Sequence, residues 1–360
     1  MKVAKICTSL CVIATLLSCG GVGMPGPTSV HGFQQINLVS DVAGTARHTD
    51  PVLLNPWGAA FVPGQPFFIA ENERGKAAVF DPSGTPSLPL AVAVPIPAIG
   101  TPPSKPSGVV FNPISQDFLV RGTPAQFLFT TEDGTVSTWS TINGNNPSTA
   151  FLAVDDSASG AIYKGLDIVN PGCCREYLAL ADFDRGIINT YDVNFVPLAI
   201  LRSFKDFQSS RWLRSLQHSP DRNPGFRNLC CARCVGSKSS HRPRKWHRGC
   251  LRPGRYFHST LSNGPLNAAW GIAVASANFG RFSNDILIGN FGDGTINAFD
   301  PTTGNFLGQL TDQSGKVIVN PGLWALVFRK DGVGSPDTLY FTAGSRGEDH
   351  GLFGTISPGN

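Results

Sequence analysis

The chain has 360 residues, with 40 Gly, 28 Pro, 41% apolar residues and a formal net charge of +4. That much glycine and proline excludes a mainly helical protein, because both residues break helices. The apolar content is ample for one large core, and no stretch beyond the N-terminus keeps a 3.6-residue apolar period, so the composition points to a single all-β domain.

Lys2 and Lys5 precede an apolar run, Ile6 to Leu17, which leads into Leu16-Leu-Ser-Cys19-Gly20. A positive start, a short apolar region and small residues at the exit form a signal peptide, and the run is short for a membrane span. The Leu-Leu-Ser-Cys arrangement resembles the bacterial lipobox, which makes Cys19 the expected lipidated residue and residues 1–19 a signal peptide with lipobox. Residues 20–32, rich in glycine, read as a flexible tether. Acyl chains on Cys19 would hold the protein to a membrane at about 0.8 kcal/mol per buried CH₂.

From residue 33 onward the sequence repeats a pattern of short strands. The first unit has Asn55-Pro-Trp-Gly58, then Phe67 to Gly75, then Ala77 to Asp81. The second has Pro106 to Phe111, Phe127 to Gly134 and Val136 to Trp139. The third has Lys164 to Val169, Tyr177 to Gly186 and Ile188 to Asp192. A later unit begins at Ala269-Trp-Gly271 and holds the clearest hairpin, Asp285 to Asp300, whose two strands flank Asn290-Phe-Gly-Asp-Gly294. The last has Gly322 to Val327, Thr338 to Ala343 and Gly351 to Ile356. An Asp-Gly turn between two apolar runs is a strong hairpin signal. Four strands joined by such turns form one propeller blade.

The spacing counts the blades. Gly58 to Gly108 is 50 residues, Gly108 to Gly165 is 57, and Trp270 to Trp324 is 54, whereas Gly165 to Gly271 is 106, two periods. A fixed period of this length predicts a propeller, here of six blades with one hidden unit. The last unit lacks room for a fourth strand, and Phe33 to Val39 is predicted to supply it, closing the ring and removing an exposed edge. The propeller domain is thus expected over 33–357.

Ala181-Asp-Phe-Asp-Arg-Gly-Ile-Ile-Asn-Thr-Tyr191 resembles the hairpin of NHL-type repeats. The motifs at 55–58, 289–304 and 339–344 resemble a family of exported bacterial six-bladed propellers without an assigned function. Many members carry a PEP-CTERM sorting tail, and this chain ends at Ser357-Pro-Gly-Asn360 without one. The resemblance covers roughly 33–205 and 261–357 and implies an exported propeller.

The hidden unit falls in 207–260, which is unlike its surroundings. Between Asp206 and His258 there are 12 Lys and Arg against two Asp, while the rest of the chain carries 17 basic and 23 acidic residues. Cys231, Cys234, His247 and Cys250 follow a C-x2-C-x12-H-x2-C spacing that imitates a zinc site, and the arginines around them imitate a nucleic-acid surface. An exported protein has no nucleic acid to bind, and the segment stands in place of a blade rather than a loop. A compensated double frameshift accounts for it better. In the shifted frame, permitted codons turn Arg244 to Arg255 into G-N-G-I-V-D-V-F-D-L-D-G, a hairpin of the repeat type. The Trp codon must then yield Gly, and both Trp212 and Trp246 fall where glycine is wanted. The set Cys231, Cys234, His247 and Cys250 is therefore a decoy. As translated, the segment is expected to be a disrupted fourth blade, disordered for want of apolar residues, and Cys173 and Cys174 are read as packing or turn residues.

Polar residues recur at the end of each predicted inner strand: Glu71 and Asn72, Glu132 and Asp133, Asp182, Asn290. In a propeller these ends are predicted to lie near one mouth of the central channel, as candidates for ligand binding. Oxygen donors of this kind suit Ca²⁺ and a divalent-metal-dependent hydrolase or lactonase, the alternative function. The competing view is that Asn, Asp and Gly here are turn residues. Trp57, Trp270 and Trp324 occupy matching positions and are read as core between blades. His350 is read as a solvated loop histidine. There is no nucleophile elbow, P-loop or paired-histidine motif. The expectation is a non-catalytic binding or interaction propeller at the cell envelope, without a cofactor, held to the membrane by its lipid anchor, with an envelope protein or small molecule as partner.

Overall fold

The computed structural model describes residues 32–114, 116–141, 147–170, 175–198 and 264–359. Their architecture is an all-β propeller. The first sheet comprises Pro56–Phe61, Phe67–Glu71, Lys76–Phe80 and Pro86–Ala93, and the second Pro106–Phe111, Phe127–Thr131, Thr135–Trp139 and Phe151–Asp155. The third comprises Tyr163–Val169, Tyr177–Asp182, Ile187–Asp192 and Pro197–Leu198. A penultimate sheet, Ala269–Val274, Ile286–Asn290, Ile296–Phe299 and Phe306–Gln309, precedes the closing sheet of Leu323–Phe328, Leu339–Ser345 and His350–Pro358. Strands consecutive in a blade pair antiparallel, as short apolar runs between turn residues dictate, and one parallel pair, Phe33–Ser40 with His48–Thr49, edges the closing sheet.

The closing sheet is completed by Phe33–Ser40, which pairs antiparallel with His350–Pro358 from Phe33 opposite Pro358 to Ser40 opposite Leu352. The N-terminal strand predicted to complete the last sheet does so. Beyond it, the Asp41 carboxylate takes His350 Nδ1 at 2.6 Å and the Gly351 amide at 2.8 Å, and Ser40 Oγ donates to the Gly351 carbonyl. His350 is therefore not a solvated loop residue: it begins the last strand and is tied to the end of the first.

Adjacent sheets meet at their first strands, whose backbones approach closely. A Cβ on Gly58 would lie 2.9 Å from the Ser107 carbonyl oxygen, and one on Gly271 2.5 Å from the Trp324 carbonyl oxygen. This is why glycine follows tryptophan in two of the repeats. Outward from these contacts, facing sheets bury aromatic pairs. Phe68 stacks on Phe127 at 4.1 Å, Phe67 packs on Tyr340 at 4.7 Å, and Phe279 meets Phe328 edge-on at 4.9 Å. Such pairs contribute about 0.5–1.5 kcal/mol each beyond their buried area.

Five blade sheets and a two-stranded ribbon, Leu119–Val120 with Thr123–Pro124, are present among the described residues; the spacing counts six blades, and the predicted fourth, 207–260, lies outside the described residues. Four apolar clusters each join two neighbouring sheets: first with second, second with third, penultimate with closing, and closing with first. Two further clusters are one-sided among the described residues. Val169, Tyr177, Ala179, Ala181 and Ile188 belong to the third sheet alone. Ala269, Ile288 and Phe299 pack only with the penultimate sheet and the segment leading into it.

Candidate functional site

The first strand of each sheet starts where its second strand ends, so both ends gather at one mouth of the ring. Pro56 faces Glu71, Pro106 faces Thr131, Tyr163 faces Asp182, and Ala269 faces Asn290. The candidate polar residues thus terminate the second strands, not the innermost ones. The innermost strands deliver a second set, at one register position: Trp57, Ser107, Lys164, Trp270 and Trp324, each directly before the small residue of close approach.

The three tryptophans meet one another. Trp57 and Trp324 stack with ring centroids 4.0 Å apart, Trp270 stands edge-on to Trp324 at 4.5 Å and to Trp57 at 5.4 Å, and Phe291 covers Trp324 at 4.3 Å. All three are buried. They are core, as read from the sequence, but form a single cluster at the mouth rather than separate packing residues. Trp324 Nε1 donates to Asn55 Oδ1 at 3.0 Å, and Asn55 Nδ2 donates to Glu348 Oε2 at 2.9 Å. Asn55 has φ of 44°, a conformation that asparagine tolerates better than most residues, which accounts for the Asn-Pro-Trp-Gly motif. The indole N–H groups of Trp57 and Trp270 are buried without an acceptor.

Lys164 lies on this cluster. Its ammonium is 4.5 Å from the Trp57 ring centroid and 5.8 Å from that of Phe183, and it is ion-paired with Glu132. Glu132 Oε2 also accepts from Asn72 Nδ2 at 2.9 Å, and Asn72 Nδ2 reaches the Pro106 carbonyl at 3.1 Å. The Lys164 side chain is 15% exposed and that of Glu132 26%, so the pair forms the floor of the mouth. A desolvated cation–π contact of this kind stabilises by about 2 kcal/mol.

The other candidates stand apart. Glu71 shares a face with Phe67 and Ile69, is 1% exposed, and its Oε1 has no hydrogen-bond partner. Burial first, and the Asp50 charge second, push its carboxyl up to about 8 against the pull of Arg74 and Lys76. Asp182 is fully buried and committed to Arg185 Nε at 2.6 Å and Asn189 Nδ2 at 3.3 Å. Asn290 is fully buried at the end of its strand, donating to the Pro265 carbonyl at 2.8 Å and to Thr295 Oγ1 at 3.1 Å, while its Oδ1 has no hydrogen-bond partner. Of the five candidates, only Asn72 and Glu132 are brought together. Among the described residues no group of three His, Cys, Asp or Glu side chains is placed to hold a metal ion. Cys19, the pair Cys173 and Cys174, and the set Cys231, Cys234, His247 and Cys250 lie outside the described residues.

Sequence reasoning treats Lys164 only as the start of a strand and so passes over it. The signal that could have found it is its register with Trp57, Trp270 and Trp324 ahead of the small residue.

No protein-family model matches the chain. An uncharacterised protein of Acanthamoeba polyphaga mimivirus is 28% identical over 367 residues, covering 97% of this chain and 87% of that protein. A second uncharacterised protein of the same virus is 27% identical over 346 residues, covering 92% and 87%. Among solved structures, the soluble aldose sugar dehydrogenase of Escherichia coli in its apo form is similar at 14% identity and a TM-score of 0.45, over 91% of this chain and 99% of that one. A gluconolactonase of Xanthomonas campestris is similar at 12% identity and a TM-score of 0.43, over 85% and 88%. Likeness of that order assigns neither substrate nor reaction.

Proposed function

We propose that the protein is a non-catalytic binding propeller whose ligand seats at the mouth floored by Lys164, Glu132, Asn72 and Trp57. The observation that carries this reading is the partly exposed Lys164–Glu132 pair on a buried aromatic cluster, a polar handle over an apolar base of the kind that small-molecule sites use. The carboxylates nearby are buried singly, as Glu71 is, or committed to a fixed partner, as Asp182 is to Arg185. The test is thermal unfolding of the full chain with a panel of polar metabolites, in the wild type and in Glu132→Ala. A ligand should raise the wild-type midpoint by several degrees and leave the variant unmoved. Stabilisation that survives in Glu132→Ala, or none from any compound, counts against the reading. Stabilisation by Ca²⁺ alone would favour the metal-dependent hydrolase instead.

The ring is proposed to hold six sheets by design. Support comes from the two one-sided clusters on the third and penultimate sheets and from the double period between Gly165 and Gly271. The compensated frameshift over 207–260 belongs to the same proposal, and DNA over codons 200–265 with no shifted frame encoding a blade would dismiss it. Export with lipidation at Cys19 rests on the sequence around it, and kinship with the exported bacterial propellers rests on the motifs at 55–58, 289–304 and 339–344. Metabolic labelling with a palmitate analogue is expected to mark the wild type and not Cys19→Ala; equal labelling of both would rule out that anchor.

A further inference from the structure

The mouth contains a complete cation site whose occupant is part of the chain. The Lys164 ammonium rests on the face of Trp57, with Phe183 beside it and the Glu132 carboxylate against it. Asn72 holds the second Glu132 oxygen, so the carboxylate is fixed in position rather than free to follow the lysine. An aromatic face, a second ring and an oriented carboxylate are the elements by which proteins recognise organic ammonium groups. Lysine is suited to occupying and vacating such a place, because its ammonium is a compact, strongly hydrated charge on a flexible four-carbon stem. Three other charged groups at these strand ends are engaged elsewhere. Arg185 is bound to Asp182, Lys105 to Glu73 at 2.7 Å, and Asp133 takes the Lys105 amide at 2.8 Å.

We infer that the ligand of this mouth carries an organic cation, and that the ligand's ammonium takes the place of Lys164 between Trp57, Phe183 and Glu132. The inference rests on the mouth being the binding site and adds the chemical class of what binds there. Lys164 then acts as a tethered competitor: it fills the site when the ligand is absent and sets a threshold on the ligand's affinity. Removing the tether leaves the ring faces and the carboxylate in place for a free cation.

The probe is tetramethylammonium chloride, titrated against the full chain with sodium chloride at matched ionic strength as the control and tryptophan fluorescence as the readout. In Lys164→Ala the response should saturate, with a dissociation constant at least tenfold lower than in the wild type, and Glu132→Gln added to that variant should weaken it at least tenfold. A folded Lys164→Ala protein whose response is linear and equal to that in sodium chloride overturns the inference. A second measurement needs no loss of the lysine. In wild-type protein with isotope-labelled lysine, the Lys164 ε-methylene resonance, assigned by its disappearance in Lys164→Arg, should lie upfield under the Trp57 ring current and move toward the free-lysine position as tetramethylammonium is added. A resonance already at the free-lysine position, or one that stays upfield at saturating probe, also overturns it. If these tests fail while the metabolite panel still gives Glu132-dependent stabilisation, the binding mouth stands and the cationic class is lost. If the panel fails as well, both readings fall.

Discussion

Replacing Glu71 by glutamine will make the protein more stable above pH 8 and leave its stability unchanged at pH 4. Glu71 is 1% exposed, and burial with the nearby Asp50 raises its carboxyl from 4.5 to about 8. The folded state therefore holds a proton that the unfolded state releases across that window. Stability is fully present below the unfolded value and is lost as pH rises through the folded one, with a linkage contribution on the order of 4–5 kcal/mol. Glutamine keeps the shape and cannot ionise, so the loss disappears. Denaturant unfolding of both proteins at pH 4, 7 and 9 measures the difference directly. Asp167, raised to about 7 by burial, titrates in both proteins and cancels. A constant offset between the two proteins at all three values would show that Glu71 ionises normally.

Truncating Asp331 to alanine will destabilise the protein by about 3–5 kcal/mol, because it strands a buried guanidinium. Arg329 is 1% exposed, lies over Phe61 at 4.2 Å and Phe67 at 4.9 Å, and donates to the Gln65 carbonyl at 2.9 Å as well as to Asp331. Asp331 in turn accepts the Gly64 amide at 2.8 Å, so the pair ties the closing sheet to the first. Burial alone would raise the Asp331 carboxyl, but the Arg329 hydrogen bond and the Gly64 amide hold it below its ordinary value. That contribution is present above the ordinary carboxylate range and lost as pH falls through the folded value. The double variant Arg329→Met with Asp331→Ala should lose less than the sum of the two single losses, since no unpaired charge remains. Simple additivity in denaturant unfolding would mean that the two groups do not depend on each other.

The strands, their pairing and the closure by Phe33 to Ser40 were legible because they rest on local signals: apolar runs, Asp-Gly turns and a fixed period. Gly294 illustrates this, with φ of 72° in the turn where its sequence places it. The site was less legible because its residues come together only across sheets. Lys164 and Glu132 belong to different repeats, and nothing in either repeat marks them as partners. Asp167 is equally silent in the sequence, although it stands two residues after the glycine where Ala60, Val110 and Ala273 stand in other sheets. Arg329 and Asp331 read as an ordinary loop after a strand, because burial by a neighbouring sheet leaves no trace in local composition.

The pairing of Phe33–Ser40 with His350–Pro358 also sets a timetable for the nascent chain. The earliest strand of the domain to be synthesised needs the latest as its partner, so the edge-to-edge seal cannot form before residue 358 is available. Contacts so distant in sequence carry a large loop-closure cost and slow folding. Until then the edge of Phe33–Ser40 that faces the last strand has no partner, and an unpaired strand edge is a template for pairing with another chain.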